Sequence, residues 1–341
     1  MPLLFTQFSE ALRNVEPTEA DKANAPVAHQ DVRDALAADP VIAGWGFAPI
    51  LIGSYKRNVS IRRMKDVDLF GRLPDLPDDV DPATLLKEFE RVLKAAFGSD
   101  RMKRQARSIQ ISFPDLEGLY VDAVPARPWT SPYGEEVWQL PKRGEDGWQA
   151  TNPERLTALK TELNEEFDKL YVPVLKLLRQ TRRSLHGKKK PGGLTVEMAA
   201  VAAFSSGAVA QGTLPEVYVS ALRETGQQLY NAFVLGWDLD DPTLQGEKLY
   251  VRGEDADKQA LAIAFVEAGK RAQEALDAGD EDKCSAAKTF REILGKAVDD
   301  QGEQDYVFPM PDDCNLNGTR KAFTEVRPGD SRVAGGTRRF G

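Results

Sequence analysis

The sequence predicts an α+β protein of two lobes, strand-rich in its first half and helical in its second. Three observations carry this expectation. Short runs rich in β-formers recur between residues 47 and 125, a helix-start signal stands at Asn152–Pro153, and helical spacing of apolar residues then dominates to about residue 300. The expected units are a core with an N-terminal helix over residues 1–150, a helical lobe over 151–310, and a flexible tail over 311–341.

Within the first unit, Val32, Leu36, Val41 and Ile42 lie at helical spacing, so a helix is expected over 28–46, ending near Gly44 to Gly46. "FAPILIGS" is rich in β-formers and closes at Gly53. "DVDLFGRL" alternates polar and apolar residues, as a half-buried strand does. After the acidic, proline-rich "PDLPDDVDP", residues 83–97 have the spacing of an amphipathic helix. "RSIQISFP" and "GLYVDAVPA" are two further strands, joined by a short acidic turn and so expected to pair antiparallel. In the second half, Asn152 caps a helix whose first turn holds Pro153. The last thirty residues carry Pro, Gly and charge without periodicity and read as a mobile tail. No internal repeat is present.

Composition narrows the function classes. The chain has 341 residues, 41% hydrophobic and 29% charged, which is ordinary for a globular protein with a real core. A net charge of -8 argues against a protein that wraps nucleic acid as its main business, so any polyanion site must be local. Cys284 and Cys314, with His29 and His186, support neither a disulfide scaffold nor a zinc site. The N-terminal segment lacks the pattern of a signal peptide, and "AAVAAFSSGAVA" is too short to span a bilayer. A soluble protein of the reducing cytoplasm is expected.

The chemistry gathers around "ILIGSYKRNVSIRRMKDVDLFGRL". Side chains alternate faces along a strand, so Asp66 and Asp68 project the same way while Val67 and Leu69 enter the core. Two carboxylates held that close repel unless a positive charge sits between them. Oxygen-only ligands without histidine favour Mg²⁺ or Mn²⁺. Asp122, in "LYVDAVPA", offers a third carboxylate on a strand able to lie beside the first two. Three convergent carboxylates can hold two metals, one activating a hydroxyl and one neutralising a triphosphate and its leaving pyrophosphate. Gly53 would let the backbone approach phosphate, and Ser54, opening a short helix, would offer its hydroxyl and nearby amides. A lone D-x-D is more often a solvated strand face, and the full constellation reverses that reading.

Gly53-Ser54, eleven intervening residues, Asp66-x-Asp68 and a later strand Asp together resemble the DNA polymerase β-type nucleotidyltransferase superfamily. With "LYVDAVPA", "WQATNP" and "YVPVLKLLRQTRRS", the chain resembles, from about residue 30 to 300, the bacterial cGAS/DncV-like nucleotidyltransferases (CD-NTases). These make cyclic oligonucleotide second messengers in anti-phage CBASS systems. The resemblance implies a polymerase β-like core, a helical C-terminal lobe and an active site in the cleft between them, using NTPs with Mg²⁺ or Mn²⁺. It implies Gly53 and Ser54 as the phosphate-facing turn, Asp66, Asp68 and Asp122 as metal-binding catalytic carboxylates, and Lys176 as the helical-lobe contact to the donor triphosphate. One departure stands out: where relatives often carry a phosphate-binding serine, four residues before Glu197, this chain has Gly193, so a backbone amide or Thr195 would have to substitute. The zinc-bearing insertion of the animal enzyme is missing.

Other features carry two readings each. The run Lys176, Arg179, Arg182, Arg183, Lys188 to Lys190 contains no acidic residue and suits either a phosphate or nucleic-acid activator surface or a solvated helix end. Trp129, Trp138 and Trp148 suit base stacking or, more often, a sealed seam between lobes. The terminal "GGTRRFG" ends on Gly341, and some CBASS relatives are joined through a C-terminal glycine by an E1/E2-type conjugating enzyme, which makes that enzyme an implied partner beside a phage-derived activator. The expected function is a nucleotidyltransferase joining NTPs into a cyclic oligonucleotide. The alternatives are modification of an RNA 3′ end or a protein hydroxyl, or a catalytically silent nucleotide sensor.

Overall fold

The computed structural model describes residues 3–62, 66–142, 147–298 and 302–322. The chain enters through α1 (Phe5–Val15) and α2 (Glu19–Ala37), the latter opened by a reciprocal Thr18–Asp21 capping box. A short α3 (Pro40–Gly44) follows, its free amides at Val41 and Ile42 bound by the Asp39 carboxylate. The helix expected over 28–46 is thus two helices. The Thr18 cap starts the first at Glu19, and Pro40, unable to continue it, opens the second.

Next come β1 (Ala48–Ile52), the single turn α4 (Gly53–Lys56) and β2 (Asp66–Arg72). They are followed by α5 (Pro82–Phe97), β3 (Met102–Arg104), β4 (Ile109–Phe113) and β5 (Leu119–Thr130), then β6 (Glu136–Pro141) and β7 (Trp148–Thr151). These strands form one seven-stranded sheet in the order β1-β2-β5-β4-β3, with β6 pairing the far end of β5 and β7 pairing β6. β2 and β5 run parallel and the other pairs antiparallel, including the expected β4–β5 hairpin.

Period-two alternation sets the two faces of this sheet. Val67 and Leu69 of β2, with Leu119, Val121 and Ala123 of β5, are buried against α2 and α5 in one apolar cluster. Each such side chain contributes roughly 1.5–3 kcal/mol by leaving water. The opposite face takes Asp66 and Asp68 from β2 and Tyr120 and Asp122 from β5. Deeper along that face Phe70, Val124, Ala126 and Leu140 make a small apolar floor. Sequence periodicity does not mark β3, β6 and β7, which are short or interrupted by Pro and Trp.

The second unit contains α6 (Pro153–Glu166), α7 (Tyr171–His186), α8 (Gly193–Ser205), α9 (Leu214–Phe233), α10 (Asp255–Asp277) and α11 (Lys283–Leu294). A small ribbon of β8 (Lys296–Val298) and β9 (Gln304–Tyr306) closes it. The Asn152 side chain accepts the Arg155 amide, the expected cap of α6.

Three expectations need revision. The N-terminal helix, placed with the core, packs in the helical lobe: Leu4, Phe8, Ala11 and Val15 share one stripe of α1 and its approach, and Phe8 meets Phe290 and Phe308 edge-on at 4.8 and 5.0 Å. The two cysteines, which gave no pattern in sequence, form a Cys284–Cys314 disulfide with Cα atoms 5.4 Å apart. That bond ties the start of the expected tail to α11, and Asp313 adds an ion pair with Lys283 at 2.8 Å, so this part of the expected tail is fastened to the body. Gly341, the expected conjugation point, lies outside the described residues. Among the described residues no helix is long and apolar enough to cross a membrane.

Candidate active site

The turn after β1 fixes the site. Gly53 adopts φ +74°, and a Cβ there would fall 1.9 Å from Asp68 Oδ2. Glycine is therefore required twice, by the left-handed backbone and by the carboxylate pressed against it. Ser54 follows on α4, and its Oγ is 3.0 Å from Ser60 Oγ.

β2 and β5 bring the carboxylates together. Asp68 and Asp122 are register partners on adjacent parallel strands, and Asp66, opposite Tyr120, sits two residues back on the same face. Adjacent strands are roughly 4.8 Å apart, so these side chains share one patch. The electrostatics agree. Burial first, and then the charges of Asp66 and Asp122, push Asp68 up to about 7, against the smaller opposing pull of Arg57 and Arg107. Burial first, and then the same three carboxylates, also raise the Tyr120 phenol.

Asp122 Oδ1 accepts from Gln105 Nε2 at 3.1 Å and from Gln110 Nε2 at 3.4 Å. Among the described residues no three His, Cys, Asp or Glu side chains already enclose a common point. What the patch offers is a crowded set of oxygen donors, with Asp68 held well above the usual carboxylate range by burial and then by its two carboxylate neighbours. A divalent cation relieves that repulsion, and oxygen-only donors suit Mg²⁺ or Mn²⁺. Asp66, Asp68 and Asp122 are the residues able to hold it.

The patch opens into a cleft of about 410 Å³ between the sheet and the helical lobe, a size suited to a small organic ligand. Gly53, Asp68 and Asp122 line its sheet side, and Arg107, Lys190, Lys248 and Arg252 bring positive charge to its walls. The cleft therefore combines cationic side chains with carboxylates that, with metal bound, would also accept a polyanion.

Behind the turn lies a buried ion triad. Arg57, at the end of α4, donates through Nε and Nη2 to both oxygens of Glu197 on α8, at 2.7 and 2.9 Å. Arg179 on α7 adds a longer contact to Glu197 at 3.3 Å. Burial pulls the Arg57 pKa down, but attraction to Glu197 outweighs it and the net shift is upward. Burial lowers Arg179, with Glu197 opposing. A Cβ at Gly193 would come 3.0 Å from Arg179 Cζ, so a side chain there would press on this guanidinium.

Two sequence expectations change here. Lys176 does not reach the cleft. It is 2% exposed and its Nζ is bound by both oxygens of Glu16 at 2.8 and 2.7 Å, fastening the end of α1 to α7. The basic run is not a free stripe either, because Arg182 is spent on the carbonyls of Gly187, Lys189 and Pro191, Arg183 on that of Arg62, and Lys189 on Asp257. Of this run, Lys190 lines the cleft. Two of the three tryptophans are likewise engaged: Trp138 packs edge-on to Phe70 and donates to Glu154, and Trp148 is covered by the Arg127 guanidinium at 4.1 Å. Sequence reasoning missed Arg57, Arg107, Lys248 and Arg252. Arg57 stood only three residues beyond Ser54, but nothing in the pattern marked it.

Comparison with known proteins bears on the fold that carries this site. Residues 3–164 match the family model described as the Second Messenger Oligonucleotide or Dinucleotide Synthetase domain. A cyclic AMP-AMP-AMP synthase of Acinetobacter sp. (strain ATCC 27244 / 9458) is 26% identical over 301 residues, spanning 85% of this chain and 83% of that one. Among solved structures, CdnC of E. coli MS115-1 with ATP superposes with a TM-score of 0.61 at 18% identity, over 85% of this chain and 97% of that one. The GTP-bound form of Vibrio cholerae DncV gives 0.58 at 12% identity, over 86% of each. The fold is that of the polymerase β-like nucleotidyltransferases.

Proposed function

We propose that the chain is a cyclic oligonucleotide synthase of the bacterial CD-NTase type, joining NTPs in this cleft to make a second messenger of anti-phage CBASS defence; its similarity to the synthetase domain family and to a cyclic AMP-AMP-AMP synthase supports this reading. The observation that carries the reading is the close packing of Gly53 on Asp68, with Asp122 on the neighbouring strand. It sets a phosphate-approachable backbone directly beside a carboxylate patch.

In the proposed reaction a ribose 2′- or 3′-hydroxyl oxygen attacks the α-phosphorus of a bound NTP. The new P–O bond forms as the bond to the β-phosphate bridging oxygen breaks, pyrophosphate leaves, and the hydroxyl proton passes to water. Asp66, Asp68 and Asp122 would hold Mg²⁺ or Mn²⁺, which, when bound, neutralises phosphate charge and lowers the pKa of the attacking hydroxyl. Gly53, with Ser54 beside it on the turn, would face the phosphates, and Lys190 and Arg252 would balance their charge from the other walls. The Arg57–Glu197–Arg179 triad holds the turn against the helical lobe, so the in-line geometry survives binding.

Pyrophosphate release from NTPs alone tests the proposal. Release without any added RNA or protein supports self-joining of nucleotides. Release that begins only with an added acceptor would replace this reading by acceptor labelling.

A further inference from the structure

Resting on the reading of the cleft as an NTP site, we infer that Tyr250 is the stacking platform for the base of a bound nucleotide, with Leu194 as its apolar neighbour on the same wall. Tyr250 is 63% exposed and Leu194 46% exposed, yet both line the cleft that also contains Gly53, Asp68 and Asp122. Aromatic surface left open inside a polar cleft is unfavourable until something flat and apolar covers it. A nucleobase is flat, and every base presents a π-face.

The loop carrying Tyr250 is held in place. Asp240 is paired with Lys248, Leu249 donates to the Leu239 carbonyl at 2.7 Å, and Asp241 donates to that of Glu247 at 2.9 Å. Asp241 Oδ1 binds the Thr243 amide and hydroxyl within the loop. At the loop's end, Gly253 lies so close to Lys190 that a Cβ there would meet the Lys190 backbone at 3.0 Å. Tyr250 and the Lys190–Leu194 turn are therefore parts of one wall. Lys190 and Arg252 line the same wall as the tyrosine, placing charge for phosphates beside an apolar face for the base. Trp138 and Trp148 are already engaged with Phe70, Glu154 and Arg127, and neither lines the cleft.

The test is equilibrium binding of each of the four NTPs and of inorganic tripolyphosphate to the full chain, with Ca²⁺ in place of Mg²⁺ to suppress turnover. Wild type is compared with Tyr250→Ala, Tyr250→Phe and Tyr250→Trp. Loss of one base stack weakens binding by about five-fold or more. The expected result is that loss for the best-bound NTP in Tyr250→Ala, unchanged tripolyphosphate binding, and Phe and Trp variants within about two-fold of wild type, as sequence-tolerant stacking requires. Equal NTP binding by wild type and Tyr250→Ala would overturn the inference, as would an equal loss for tripolyphosphate. Failure of wild type to bind NTP and tripolyphosphate alike would instead overturn the reading of the cleft, and the inference with it.

Discussion

Arg57 and Glu197 form a bidentate ion pair, 2.7 and 2.9 Å long, that joins the turn beside the carboxylate patch to α8 of the helical lobe. Their side chains are 4% and 1% exposed, and Arg179 leans on the same carboxylate. Removing the shared anion leaves two guanidinium groups facing each other in a desolvated space. Glu197→Gln should therefore destabilise the protein by about 3–5 kcal/mol in chemical denaturation, the usual cost of stranding a buried charge. A loss below about 1 kcal/mol would mean that water screens the triad as it does surface pairs.

Gly53 tests the close approach directly. Alanine there must both hold φ +74° and displace the Asp68 carboxylate, since its Cβ would stand 1.9 Å from Oδ2. Gly53→Ala should lower kcat about a hundred-fold, as misplacement of a reacting geometry by about 1 Å does. Activity within about three-fold of wild type, in a folded variant, would show that the contact does not set the site.

Asp68 links the site to stability and pH. Its folded pKa of about 7 lies above the ordinary value near 4, so its protonated form favours the fold. That contribution is complete below about pH 4, falls as pH rises, and is lost once pH passes about 7. In EDTA, the Tm of wild type relative to Asp68→Asn should decline between about pH 4 and pH 7 and then level off. At pH 8 the Asn variant should be the more stable of the two, and Mg²⁺ should raise the Tm of wild type alone. A pH-independent difference would show that Asp68 is not desolvated beside other carboxylates.

Lys176 separates structure from substrate binding. Buried against Glu16, it is expected to act on stability by anchoring α1. Lys176→Met should leave the KM for NTP within about two-fold while lowering Tm. A tenfold rise in KM with unchanged Tm would return the lysine to the triphosphate pocket.

The contrast between Asp68 and Lys176 shows how far the sequence was legible. Alternation along "DVDLF" and "LYVDAVPA" determines which side chains share a face, so the carboxylates of the patch could be read residue by residue, whereas the parallel pairing that joins them is set by the fold. A lysine on a helix has no such local rule. Whether it faces a cleft or a partner depends on what packs there, and Glu16 comes from a helix 160 residues away in sequence. The same limit hid Arg57–Glu197 and Cys284–Cys314, whose partners lie 140 and 30 residues apart. Tyr250 sits in a loop without periodicity, where only the closed turn places it on the cleft wall.

The most direct test of the central claim is incubation of the purified protein with Mg²⁺ or Mn²⁺ and α-³²P-labelled NTPs, followed by phosphatase. The doubly substituted Asp66→Asn, Asp68→Asn protein is the control. Phosphatase-resistant labelled product made by wild type and absent from the control is the predicted result, with mass spectrometry giving the bases and ring size. Resistant product made equally by both proteins, or label recovered only on an added RNA or protein, would contradict the account.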